Sequence, residues 1–84
     1  MLVKVEDVVL TYTKPRIDQT VYQYLIVVRD EFGHAEVFIV DVDKFDKAKF
    51  EDIVRQKYMA RYRIPKDSIE VKWLLEPPKL SAPR

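Results

Sequence analysis

Val21-Tyr22-Gln23-Tyr24-Leu25-Ile26-Val27-Val28 is apolar on both parities of an extended chain. Successive side chains of a strand point to opposite faces, so a strand open to water on one side shows alternation. This one does not. Residues 21–28 therefore read as a central strand covered on both faces, or as one whose second face is an oligomer contact. On its N-terminal side, residues 2–12 alternate, but the phase flips after Glu6-Asp7: Val3 and Val5 share one face, then Val8, Leu10 and Tyr12 do. A one-residue slip of this kind is what a β-bulge produces. Residues 13–19, with Lys14-Pro15-Arg16, read as a loop.

On the C-terminal side, Asp30-Glu31-Phe32-Gly33 places the single glycine of the chain in a hairpin turn, where a positive φ is needed. Residues 35–40 form the third strand. A helix follows, with Asp41 or Asp43 as N-cap, Asp46 in its first turn and an end near Tyr62, before Pro65. Residues 68–75 alternate again, with Ile69, Val71, Trp73 and Leu75 inward. The expected fold class is α+β, in the order β-β-β-α-β: an antiparallel sheet of about four strands with one helix packed on one face. Residues 1–75 make one domain, and residues 76–84, with Pro77, Pro78 and Pro83, an extended or disordered tail.

Composition narrows the function classes. The 84 residues are 48% hydrophobic and 35% charged with a net charge of +1, which is the profile of a folded, heavily ionised globule. No apolar run reaches the ~18–20 residues of a membrane span, and Met1-Leu2-Val3-Lys4 lacks a signal-peptide layout. With no cysteine, a cytoplasmic setting is expected. The absence of Asn and the surplus of ionic residues point to a thermophile, an archaeon or its virus. One glycine cannot build a phosphate loop, and Ser68 and Ser81 lie in no nucleophile context, so an enzyme, a cofactor and a small-molecule substrate are not expected. Lone His34 reads as a loop residue. Asp41, Asp43 and Asp46 lack the glycine and distal glutamate of a calcium loop and read as helix caps, leaving no metal site.

One stretch leans toward a partner. Arg55, Lys57, Arg61, Arg63 and Lys66 are interleaved with Tyr58 and Tyr62, and no acid interrupts them. Cations for phosphates and flat rings for bases are what a nucleic-acid surface uses. The expected buried stripe of the helix is Phe50, Ile53 and Val54, with Tyr58 and Ala60 at its edges, and it runs into Lys57 and Arg61. A twenty-residue helix spans ~30 Å against ~23 Å for the third strand, so its last turn is expected to overhang as a basic knob. The competing reading is structural. Cations suit a helix C-terminus, and the acids Asp30, Glu31, Glu36, Asp41 and Asp43 are expected near the same end of the fold.

The layout of the last forty residues, a basic break Arg61-Tyr62-Arg63-Ile64-Pro65-Lys66 followed by Ile69-Glu70-Val71-Lys72, resembles small archaeal ribosomal proteins of the LX type. That resemblance implies a nucleic-acid or ribonucleoprotein partner and assigns no individual residue. The alternative is a protein–protein module, a homodimer or an adaptor, that closes the uncovered sheet face.

Overall fold

The computed structural model describes residues 1–79. Three strands form an antiparallel meander: β1 (Leu2–Arg16), β2 (Gln19–Asp30) and β3 (Ala35–Asp41). Helix α1 (Lys47–Tyr62) crosses one face, and β4 (Glu70–Trp73) completes a four-stranded sheet of order β3-β2-β1-β4. The α+β class and the element order are as the sequence indicates, with β2 central.

The sheet is mixed, not wholly antiparallel. β4 pairs parallel to β1, from Leu2 opposite Glu70 to Val5 opposite Trp73. Direction explains it. The meander runs up, down and up, the helix returns the chain to the starting end, and the last strand must then run with β1. The first residue helps to seat it: the Met1 amino group donates to the Ser68 carbonyl, and Glu70 N–H donates to Met1 O at 2.8 Å.

The phase flip is a bulge. Val5 pairs with Val28 and Asp7 with Val27, leaving Glu6 as the extra residue. Glu6 uses its freed position to accept from Arg29 Nε at 3.1 Å. The expected loop over residues 13–19 is instead strand. β1 continues to Arg16, a second register shift lies between Thr13 and Arg16, and the turn is confined to Ile17 and Asp18. Lys14-Pro15-Arg16 carries loop-like residues, but the shift absorbs the proline, whose missing N–H is tolerated at such irregularities.

Helix α1 begins later than expected. Asp46, not Asp41 or Asp43, is the N-cap, and its side chain accepts from Lys49 N–H at 3.0 Å. Val42–Lys44 form a separate 3-10 turn. Phe45 accounts for the delay: its extended backbone lets the ring drop between Tyr24 (5.2 Å) and Phe50 (6.0 Å). An apolar residue before the cap touching the fourth helical residue is a hydrophobic staple.

The buried stripe is Phe50, Val54 and Tyr58, spaced by four, and Ile53 is half exposed. The two large rings set this rotation, turning Ile53 and Lys57 outward. Beneath them lie Val3, Val5, Val8, Tyr24, Ile26, Val28 and Ile69. Sixteen helical residues span ~24 Å, which matches the seven residues of β3. The helix does not overhang.

Residues 76–79 are tied to the domain. Lys47 Nζ meets Glu76 at 2.9 Å, and Tyr24 OH donates to Pro78 O at 2.6 Å. The rest of the expected tail, 80–84, lies outside the described residues.

Candidate functional site

Two surfaces concentrate the chemistry: the C-terminal end of α1 and the sheet face that α1 leaves open.

The basic run does not come together as one patch. Arg55 faces its own helix turn and β4, with Nη2 3.6 Å from Glu51 and Nε donating to Ile69 O at 3.0 Å. Lys66 pairs with Asp52 at 2.8 Å, and that contact, with smaller help from Gln56, holds the Asp52 carboxyl below its usual range against modest burial. Tyr58 is fully buried and donates to His34 O at 2.7 Å, so it has no face for stacking. Burial, followed by the nearby charges of Asp30 and Glu36, pushes its phenol pKa up. Tyr62 is half-buried. Its hydroxyl donates to Glu36 at 2.6 Å, which raises its pKa, and its ring stacks on His34 at 4.0 Å and 12°. Arg61 also reaches Glu36, at 3.4 Å, with its side chain 60% exposed. Lys57 and Arg63 are exposed and pair with no acid among the described residues.

The end of α1 is thus clamped to the β2–β3 turn by a polar cluster. Asp30, its carboxylate shut off from solvent, accepts from Phe32 N–H (2.9 Å), His34 N–H (2.8 Å) and the His34 ring (2.8 Å). Burial works against its ionisation, but these bonds outweigh it and its pKa lies below the usual carboxylate value. Of the five acids expected to meet the basic run, Glu36 alone does so. The sequence signal for His34 was weak because its partner Asp30 reads locally as a turn residue.

The open face is of another kind. Two adjacent rows cross it: Val9, Leu25 and Ile39, then Asp7, Val27 and Val37. Val9 is 42% exposed, Val37 56% and Ile39 62%, while Leu25 and Val27 lie half-buried between them. Five aliphatic side chains thus form a contiguous patch on which nothing in the chain packs among the described residues. Polar rows border it, Lys4, Arg29 and Lys72 at one end and Thr11, Gln23 and Asp41 at the other. Gln23 and Asp41 are bonded to each other at 3.1 Å.

Beyond Gln23, β1 and β2 continue as a two-stranded arm with no neighbouring strand among the described residues. Tyr12 and Tyr22 face each other on it at 6.2 Å, and Ile17 at its tip is 99% exposed. The arm gives the molecule its 44 Å long axis.

Two clefts among the described residues are polar: one is lined by Leu2, Lys4, Glu6, Arg29, Asp30 and Glu31, another by Asp52, Arg55, Lys66, Asp67 and Ile69. No helix among the described residues is long and apolar enough to cross a membrane. No protein-family model, curated protein or solved structure matches this chain.

Proposed function

We propose that this domain is a non-catalytic protein–protein interaction module whose working surface is the open face of its sheet. The observation that carries this reading is the aliphatic patch of Val9, Leu25, Val27, Val37 and Ile39. Burying a Val or Ile is worth about 1.5–3 kcal/mol, and monomeric proteins seldom leave such side chains contiguous on a regular sheet without a use for them. The patch has an apolar centre and polar borders, the anatomy of an interface.

The test is a selection from a displayed random-peptide library against dilute immobilised protein. Selected peptides should bind Ile39→Lys at least tenfold more weakly and bind Arg61→Glu/Arg63→Glu as they bind wild type. Peptides indifferent to Ile39→Lys would overturn the reading.

A second reading keeps one specific support. Arg63 sits in the left-handed region at φ 58°, where glycine is the unstrained choice. A cation held there at a conformational cost, beside exposed Lys57 and Arg61, suits a polyanion contact smaller than the seven-residue site Arg55, Lys57, Tyr58, Arg61, Tyr62, Arg63 and Lys66. Binding of a labelled duplex that weakens with salt, and is lost in Arg61→Glu/Arg63→Glu, would establish it. Salt-independent or absent binding would dismiss it.

A further inference from the structure

We infer that the occupant of the open face is a second copy of this chain, packed face to face with its strands antiparallel to those of the first. The inference rests on the protein-binding reading above and adds the partner and its direction. Three features of the face carry it.

The first is the symmetry of the face along the strands. Its two apolar rows lie between a basic row (Lys4, Arg29, Lys72) and a polar row ending in Asp41. In an isologous pair the same patch serves both copies. A two-fold axis in the interface plane and perpendicular to the strands, passing between Leu25 and Val27, lays aliphatic rows on aliphatic rows. It lays the basic row of each copy over the polar row of the other, strand on like strand: Lys4 over Thr11, Arg29 (already paired with Glu6) over Gln23, and Asp41 over Ala35. An axis parallel to the strands would lay each row on itself, the basic row on the basic row. Asp7 lies at the β1 margin of the patch, where the usual ~30° angle between packed sheets leaves room for water.

The second is the arm. A lone two-stranded hairpin is marginal in water, yet residues 12–22 stay paired, with one register shift between Thr13 and Arg16, beyond the body of the domain. In the antiparallel pair the base of each arm, at Val21 and Thr13, reaches the Leu2 and Glu31 end of the other copy, and its tip at Ile17 passes beyond that sheet. One packing event therefore covers the unpartnered face and the base of the arm.

The third is area. The two aliphatic rows alone offer only a few hundred Å², short of the ~800 Å² per partner of a stable interface. The face including the arm follows β2 for twelve residues. About an axis between Leu25 and Val27, residues 22–30 of that length face the other copy, ~30 Å at ~3.4 Å per residue, so the burial is on the order of 500 Å² per copy, the size of a weak association. The dimer is therefore a weak one, to which the base of the arm contributes.

The test combines sedimentation with one distance. Wild-type protein, Ile39→Lys and the control Ile53→Lys are run in velocity sedimentation from about 1 to 500 μM, with circular dichroism confirming the fold of each. Both substituted residues are half or more exposed. Because the chain has no cysteine, Thr13→Cys provides one spin-label site per copy. Expected are a dimer for wild type and Ile53→Lys, at least tenfold weaker association for Ile39→Lys, and a label separation of ~35 Å, twice the five-residue distance from the axis. A label separation under ~20 Å would overturn the antiparallel arrangement. A monomer at all concentrations would overturn the dimer alone, and the peptide selection would still decide the protein-binding reading. A dimer indifferent to Ile39→Lys would overturn both.

Discussion

Asp30 shows how one side chain can join two elements. Its carboxylate organises the β2–β3 turn through Phe32 and His34, and His34 in turn stacks on Tyr62 of α1. Because the folded pKa of Asp30 is lowered, its contribution to stability is present above the ordinary carboxylate value. It is lost as pH falls through the folded value. Asp30→Asn should lower stability near neutrality by about 1.5–3 kcal/mol, the worth of hydrogen bonds to a charge, and should flatten the acid limb of a urea-unfolding series. An unchanged acid limb would contradict the assignment. Tyr58 acts at the other end of the pH scale. Its folded pKa is raised, so its stabilisation is complete below pH ~10 and lost as pH climbs through the folded value. Tyr58→Phe should remove that alkaline loss while costing about 0.5–1.5 kcal/mol at neutral pH for the bond to His34 O. Arg63→Gly relieves a left-handed cost of roughly 1–2 kcal/mol, offset in part by chain entropy. Thermal unfolding should show a small net gain. A loss would mean that Arg63 makes a contact beyond the C-cap of α1, where its N–H donates to Met59 O at 3.0 Å.

At the scale of elements, the helix start is the instructive case. Asp41, Asp43 and Asp46 are equally good caps by residue type, and local sequence cannot choose among them. The choice is made by Phe45, whose ring has a slot between Tyr24 and Phe50 only if the backbone stays extended there. Phe45→Ala should therefore cost about 3–5 kcal/mol, against about 1 kcal/mol for Asp46→Ala. Equal losses in chemical denaturation would show that the cap, not the ring, fixes the start. The strands were more legible. The phase flip at Glu6-Asp7 and the double apolarity of residues 21–28 follow from a period of two, which local sequence records directly. The rotation of α1 was less so: Ile53 and Val54 are equivalent until Phe50 and Tyr58 bring their large rings to the sheet. That rotation is also why Lys57 reaches solvent without an overhang. The basic run looked like one site because neighbours in sequence were read as neighbours in space. Its partners Glu51, Asp52 and Glu36 divide it among three local ion pairs.

At the scale of the whole molecule, one helix covers one face of a four-stranded sheet and, among the described residues, nothing covers the other. Residues 21–28 posed that question at the level of sequence, and the exposed Val37 and Ile39 of β3 enlarge it. What occupies the face is not written locally, because any apolar surface of the right shape satisfies the same hydrophobic requirement. The two-fold arrangement makes a demand that can be measured atom by atom. Methyl spectra of the protein at several hundred micromolar, with a soluble gadolinium chelate added, report which methyl groups meet solvent. The account predicts that the methyls of Leu25, Val27, Val37 and Ile39 are shielded and that those of Ile53 relax strongly. If Val37 and Ile39 relax as strongly as Ile53, the face is open in solution and the two-fold pairing, the central claim, is wrong, while binding of another protein there is left to the peptide selection.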